Sequence, residues 1–140
     1  MKVTSKLALA AGTAWILASA APAAGHRIAA DLLVAPGATS SGANVALGRR
    51  MAAADGWTGQ QWSCLDWLWT RESGWRLVWN TAGSGAYGIP QALPAGKMAS
   101  AGADWMTSAA TEIRWGLGYI HAEYGTPCNA WRHEEAAGSY

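Results

Sequence analysis

The stretch WTGQQWSCLDWLWTRESG, residues 57–74, decides the fold of this 140-residue chain. Its apolar residues recur every three or four positions, at Trp62, Leu65, Leu68 and Trp69. That spacing is typical of one face of an α-helix, and the next position on the same face is Glu72. Gly74 follows at the place where a helix commonly ends. The sequence therefore predicts a helix whose last turn places a carboxylate on the face that packs into the core.

The residues at the start of this stretch predict how the helix begins. Thr58 and Gln61 have the spacing of a capping box, in which the hydroxyl and the amide each bond a free backbone N–H. Trp57 and Trp62 stand at the two positions of a hydrophobic staple around that cap.

Three further helices are predicted from apolar periodicity and capping residues. They cover residues 43–54, with Asn44 as the N-cap, residues 108–124 and residues 128–135. A helical turn or two is also expected within residues 93–101.

Two features of the remaining sequence complete the expected fold. The stretch NTAGSGAYGIPQ, residues 80–91, is rich in turn-forming residues and leaves room for two short extended pieces at most. Gly116 and Gly118 interrupt a helix at a cost of about 1 kcal/mol each, so we expect another backbone to pack closely there. The fold class is mainly α, with at most a minimal β-hairpin.

The N-terminal residues predict export. Lys2 and Lys6 precede fourteen uncharged residues, 7–20, and small residues follow, which is the pattern of a secretory signal peptide. A membrane anchor is the alternative, but it needs about 20 apolar residues. We assign residues 1–23 to the signal peptide and residues 24–43 to an Ala/Gly-rich linker or pro-segment. Residues 44–140 form the expected domain, in a protein secreted to the cell wall.

Composition limits the classes of partner. Ten basic and nine acidic residues give a net charge of +1, which argues against a nucleic-acid partner. Ten tryptophans and no phenylalanine mean that tryptophan either builds the core or lines a surface that stacks on a flat ligand such as a sugar. No later segment predicts a membrane span, and we expect a monomer without a cofactor.

The cysteines and histidines point to a disulfide and not to a metal. Cys64 and Cys128 are an even pair in a chain predicted to reach an oxidising compartment, which favours one disulfide over two buried thiols. His26, His121 and His133 show no ligand spacing with cysteines or acids, so no metal site is predicted.

Glu72 is the leading candidate for chemistry. An apolar surrounding disfavours the charged form of a carboxyl, and the negative end of the helix dipole does the same. A carboxyl that stays protonated near neutral pH can act as a general acid. The alternative is a glutamate at the helix end that turns to solvent or pairs with Arg76.

Other acids are expected elsewhere. Asp66 lies about 120° around the helix from Glu72 and should not share its cleft. Asp104, Glu112 and Glu123 are expected in solvated or capping roles.

Five separated motifs resemble the soluble lytic transglycosylase domain of the lysozyme-like superfamily, in its secreted actinobacterial branch. They are ESGW (72–75), SGAYGIPQ (84–91), GKMASAGADW (96–105), WGLGYI (115–120) and YGTPCNAW (124–131). The resemblance covers residues 43–140 approximately and implies a lysozyme-like α domain that acts on bacterial peptidoglycan.

The resemblance also implies a mechanism that uses one acid. The glutamate at the position of Glu72 protonates the glycosidic oxygen between N-acetylmuramic acid and N-acetylglucosamine. As a carboxylate it then takes the proton of the muramoyl 6-hydroxyl, and a 1,6-anhydro ring closes. By the same resemblance, the residues that contact the substrate or shape its cleft are Ser84, Tyr87, Gln91, Tyr119 and Trp131. For Tyr87, Tyr119 and Trp131, a role in core packing is the alternative.

Two departures from the branch bear on substrate contacts. Arg76 stands where asparagine is common, and Trp79 stands where a small residue is usual. Arg76 could lower the pKa of Glu72. The chain end, Gly138 to Tyr140, also lacks an expected tryptophan.

Two other functions fit the same residues. The first is a muramidase-type hydrolase or a resuscitation-promoting-factor-like enzyme on the same fold. The second is a cell-wall-binding module whose tryptophans hold glycan without cleaving it.

Overall fold

The computed structural model describes residues 40–140, which form four α-helices and one 3₁₀ helix. The elements are α1 (Ser41–Ala54), α2 (Gly59–Glu72), the 3₁₀ helix (Ala95–Ser100), α3 (Ala109–Tyr124) and α4 (Pro127–Ala137). The predicted signal peptide, residues 1–23, and residues 24–39 of the predicted linker lie outside this range.

The mainly α prediction is confirmed for the described residues. Most of them are helical, and none forms a sheet. The loop between α2 and the 3₁₀ helix contains two isolated antiparallel bridges, which join Trp79 with Tyr87 and Tyr87 with Ala92.

Helix α1 begins at Ser41, earlier than predicted, because Ser40 is its N-cap. The Ser40 hydroxyl accepts the backbone N–H of Ala43 at 3.2 Å. The prediction of Asn44 as the cap is therefore wrong. Asn44 lies inside the helix, where it is buried and its amide donates to the backbone oxygen of Trp75 at 2.8 Å. This bond ties α1 to the turn that follows α2.

The predicted capping box at the start of α2 is also wrong. Thr58 is the N-cap residue but makes no side-chain hydrogen bond to the helix. The Gln61 side-chain oxygen instead accepts the backbone N–H of Cys128 at 3.0 Å, at the start of α4. A tertiary contact has replaced the local one, and the Thr58 N–H that the capping box would have used bonds the backbone oxygen of Gly56 at 3.1 Å.

Helix α2 lies in the core along its predicted face, with Leu65, Leu68 and Trp69 fully buried. The core is completed by residues of α3 and of the connecting loops, including Trp75, Ile89, Ile113, Leu117 and Ile120. Most of the excess of tryptophan noted in the sequence is thus core or core-flanking.

The glycines of α3 differ from the prediction. A Cβ at position 116 would lie 2.6 Å from Cζ2 of Trp69 and 3.1 Å from Cβ of Pro90, so side chains and not a backbone pack there. A Cβ at position 118 would meet nothing within 4 Å. Gly116 therefore makes room for the Trp69 indole, and the expected close approach at Gly118 is absent.

The predicted disulfide is confirmed. Cys64 in α2 and Cys128 in α4 are joined, with 5.0 Å between their Cα atoms. The bond lies beside the contact between Gln61 and the Cys128 N–H, so α2 and α4 are held together at this point twice. Within residues 40–140, no helix is long and apolar enough to cross a membrane.

A smaller apolar cluster packs in the loop half of the domain. Its buried members are Tyr87, Ala92, Ala95 and Met98. Trp105 and Trp115 pack against it. Because Tyr87 and Ala92 belong to this cluster, it holds the stretch 84–92 against the 3₁₀ helix.

Candidate active site

Glu72 is the last residue of α2 and is partly buried. Burial is the largest cause that raises the pKa of this carboxyl to about 7. The negative charge of Glu134 and a hydrogen bond with that carboxyl raise the pKa further, and the Arg71 guanidinium opposes them. Glu72 therefore holds a proton over much of the range in which a general acid is useful.

Glu134 is a neighbour of Glu72 that sequence reasoning missed. It lies on α4 and is only 3% exposed, and its Oε1 is 3.0 Å from Nε of Arg71. Pro127, Ala130 and Glu134 are the buried residues of α4. Their spacing of three and four is that of one helix face, and this pattern could have placed Glu134 inside the protein.

The turn after α2 connects Glu72 to the glycine-rich stretch. The hydroxyl of Ser73 donates to the backbone oxygen of Ile89 at 2.9 Å and accepts the backbone N–H of Arg76 at 3.2 Å. Ser73 thus fixes the end of α2 against residues 84–92.

Gln91 lies at the edge of the cleft. Its backbone is in the left-handed region, with φ of 52°, and its amide nitrogen donates to the backbone oxygens of Gly88 and Val78. The Gln91 Oε1 is buried and meets no hydrogen-bond donor among the described residues. Ser84 is exposed, and its hydroxyl accepts the N–H of Ala86 at 3.2 Å, so it shapes the turn.

A cleft runs between the residues after the glycine-rich stretch and helix α3. Gln91, Lys97, Trp115, Tyr119 and Tyr140 contribute to its lining. Tyr119 stacks on Trp115, with ring centroids 5.2 Å apart and planes 11° apart. The predicted cleft residues Gln91 and Tyr119 are thus brought together.

Tyr140 lines this cleft and also contacts α2, and no periodic pattern in the sequence predicts it. Its hydroxyl accepts the indole N–H of Trp69 at 2.7 Å and donates to the backbone oxygen of Pro90 at 2.9 Å. Burial raises the pKa of Tyr140 well above its ordinary value, and the charge of Glu72 adds to the effect. Tyr140 is therefore neutral at any pH of interest and lies within the field of Glu72.

Tyr87 is buried and supports an exposed tryptophan. Its hydroxyl donates to the backbone oxygen of Met106 at 2.7 Å, and its ring packs on Trp105. The ring of Trp79 lies 4.6 Å from that of Tyr87, and Trp79 is 52% exposed. An exposed indole backed by a fixed ring is suited to stacking on a sugar.

Trp131 lies on α4, beside the guanidinium of Arg71. It is partly buried on α4, its ring is 6.1 Å from that of Trp67, and the Arg71 guanidinium lies 5.9 Å above it. Trp131 thus packs against the cation that pairs with Glu134.

The structure corrects the expectation for Glu112. It is fully buried in the first turn of α3, and its Oε2 accepts the backbone N–H of Ile89 at 2.7 Å. Burial raises its pKa to about 7. Glu112 falls one helical turn before Gly116, so the apolar face traced from Ile113 onward runs through it. Asp104 and Glu123 are exposed, as expected.

Asp66 and Arg76 both bond away from Glu72. The Asp66 Oδ1 accepts the indole N–H of Trp75 at 2.9 Å. The Nε of Arg76 donates to the backbone oxygen of Ser73 at 2.8 Å. The cation that lowers the pKa of Glu72 is Arg71. Within residues 40–140, no group of three or more His, Cys, Asp and Glu side chains could hold a metal ion.

Comparison of the chain with protein-family models, with curated proteins and with solved structures finds no match in any of the three. Family and function therefore rest on the motifs and on the geometry of the site.

Proposed function

We propose that this protein is a secreted lytic transglycosylase, which cleaves the bond between N-acetylmuramic acid and N-acetylglucosamine in peptidoglycan. The observation that carries the proposal is Glu72, a partly exposed carboxyl with a pKa of about 7 whose charge acts on Tyr140, a residue that lines the aromatic cleft. The five motifs that resemble the soluble lytic transglycosylase domain supply the substrate class.

In the proposed reaction Glu72 first acts as a general acid. Its proton passes to the glycosidic oxygen, the bond from that oxygen to C1 of the muramoyl sugar breaks, and positive charge develops on the sugar ring. The carboxylate of Glu72 then takes the proton of the 6-hydroxyl on the same sugar. The 6-oxygen bonds to C1, and no water is consumed.

The position of Glu134 favours this scheme over a mechanism with two carboxyls. Retaining glycosidases separate their carboxyl groups by about 5 Å, and inverting enzymes separate them by about 6.5–9.5 Å. Glu134 instead makes a hydrogen bond with Glu72, on the side where Arg71 binds it. A group in that position cannot activate water on the opposite face of the sugar.

The cleft offers polar and aromatic contacts that suit an uncharged glycan. Lys97 can pair with a carboxylate of the muramoyl stem, and the stacked rings of Trp115 and Tyr119 can pack on a sugar. Export through the N-terminal signal and one disulfide agree with action at the cell wall, outside the reducing cytoplasm.

Mass spectrometry of the products from purified peptidoglycan tests the proposal. We expect muropeptides that end in the anhydro sugar, each lighter by one water than the corresponding reducing sugar. The Glu72→Gln protein is the matched control, since it keeps the shape of the side chain. Reducing ends from the wild type would instead establish a muramidase-type hydrolase. Binding of the glycan without any soluble product would establish a cell-wall-binding module.

A further inference from the structure

The environment of Glu134 is unusual for a carboxylate. The side chain is almost fully buried between α2 and α4, and its Oε1 lies 3.0 Å from the Nε of Arg71. Its Oε2 is buried and meets no N–H or hydroxyl donor among residues 40–140. A buried carboxylate oxygen without a donor is unfavourable, so a proton on a neighbouring group is expected there.

The neighbouring group that can supply this proton is Glu72. Glu134 is close enough to Glu72 for its negative charge to raise the pKa of the Glu72 carboxyl. A like charge so near disfavours ionisation of Glu72, which therefore keeps its proton. Arg71 binds Glu134, and its positive charge favours the ionised form of the partner that it touches. The negative charge of the pair therefore resides on Glu134 and the proton on Glu72.

We propose that Glu134 is a positioning residue for the reaction: its carboxylate, fixed by Arg71, holds the proton on Glu72 in the resting enzyme. This inference rests on the proposed function for its catalytic meaning. The arrangement also has a consequence for the second step. Once Glu72 has given its proton to the glycosidic oxygen, two carboxylates face each other. Their repulsion makes Glu72 a stronger base for the 6-hydroxyl proton.

The other ionisable groups that face the pair do not titrate in the same range. Tyr140 lies within the field of Glu72, and its pKa is raised well above the ordinary value. Tyr124 faces Glu134, and burial is the largest cause that raises its pKa to about 12. The Arg71 guanidinium stays charged throughout. Near pH 7 Glu72 is therefore the group at this site whose titration the experiment follows.

Two substitutions test the inference because they should move the titration of Glu72 in opposite directions. Glu134→Gln removes the negative charge and offers an amide donor to ionised Glu72, so Glu72 should lose its proton about one pH unit lower or more. Arg71→Gln removes the cation, so the pair should hold its proton to higher pH. Glu135→Gln removes the same charge from the exposed neighbour on α4 and should change neither.

The primary measurement is the titration of the glutamate side-chain carboxyls by carbon NMR, which needs no activity. The Glu72 signal is assigned by its loss in Glu72→Gln. The pH profile of peptidoglycan lysis is the second readout, and its alkaline limb should follow the NMR titration in each variant. If Glu134→Gln does not fold, Arg71→Gln alone decides, because Arg71 is half exposed and the amide of a glutamine there can still donate to the Glu134 carboxylate.

The outcomes separate this inference from the proposed function. A Glu72 titration that is the same in Glu134→Gln and Glu135→Gln overturns the inference, as does an unchanged titration in Arg71→Gln. Shifts in opposite directions support it, even in a protein that fails to lyse peptidoglycan. Absence of lysis by the wild type would count against the proposed function alone.

Discussion

Glu72 and Glu112 are two buried carboxyls with the same pKa of about 7, and burial is the main cause for both. Glu72 ends α2, is partly accessible and faces a second carboxyl. Glu112 lies in the first turn of α3, is inaccessible, and accepts the backbone N–H of Ile89 at 2.7 Å. A Cβ at position 88 would lie 2.6 Å from its Oε2, so a glycine is needed above it.

The difference between the two regions shows what a shifted pKa can and cannot indicate. Burial is the largest cause of the raised pKa at both residues, and it acts on a structural as well as on a reactive group. Partial exposure and two charged neighbours, Glu134 and Arg71, distinguish Glu72. Glu112 instead fixes the stretch 84–92 that borders the cleft, so we assign it a structural role.

The largest expected effect comes from making the same substitution at both sites. Glu72→Gln should reduce peptidoglycan lysis by about 10²- to 10⁴-fold, because the general acid is lost. Glu112→Gln should keep most of the activity, since the amide oxygen of glutamine can still accept the Ile89 N–H. Initial rates of turbidity loss, together with circular dichroism to verify the fold, make the comparison. Equal losses in the two variants would remove the distinction between the sites.

The next effect is a loss of stability as the pH rises. The pKa of Glu112 is about 7 in the folded protein and about 4.3 in an unfolded chain. A group whose pKa is raised by folding stabilises fully below the unfolded value, and that contribution is gone above the folded value. Between about pH 4 and pH 7 the free energy of unfolding should therefore fall, by about 3 kcal/mol for Glu112.

Urea denaturation across that pH range measures this fall. Glu112→Gln has no ionisable group at position 112 and should show a flatter profile than the wild type. Glu72→Gln should flatten it as well, but by less, because Glu72 is partly solvated. A Glu112→Gln profile as steep as that of the wild type would contradict the protonated state that we assign to Glu112.

The smallest effect concerns the binding of glycan at the exposed ring of Trp79. Trp79→Ala removes the exposed indole that rests on Tyr87, and we expect KM for soluble glycan fragments to rise roughly fivefold, with little change in kcat. Trp67→Ala is the matched control, since Trp67 is 49% exposed on α2 and should leave KM unchanged. Similar KM values for the two variants would show that Trp79 does not contact substrate.

Much of the helical structure could be predicted because it depends on local patterns. The periodicity of residues 62–72 placed Glu72 on the buried face, and the structure has Ser108 as the N-cap of α3, at the predicted start of that helix. The paired cysteines gave the disulfide. The helical features depend on residues close in sequence, and the disulfide prediction depends on the even number of cysteines in a chain predicted to be exported.

The contacts that complete the site join distant parts of the chain, and local patterns do not contain them. Gln61 bonds Cys128 rather than its own helix, and Tyr140 reaches Trp69 and Pro90 across the domain. Glu134 and Glu112 lie on the buried faces of α4 and α3, at the spacing of the apolar residues of each helix. Both could have been found if a charged residue at that spacing had been counted as part of the buried face. The expectation that acids are solvated was the reason for missing them.

Trp75 illustrates how the backbone and the interior can require different residues at one position. Its φ of 60° is in the left-handed region that favours glycine, yet its indole is buried, and a Cβ on Gly48 would lie 2.3 Å from it. A redesign that chose residue 75 from backbone geometry alone would select glycine and leave an indole-sized void beside α1. Redesign of this domain should therefore treat positions 48 and 75 as one unit, exchanged together or not at all.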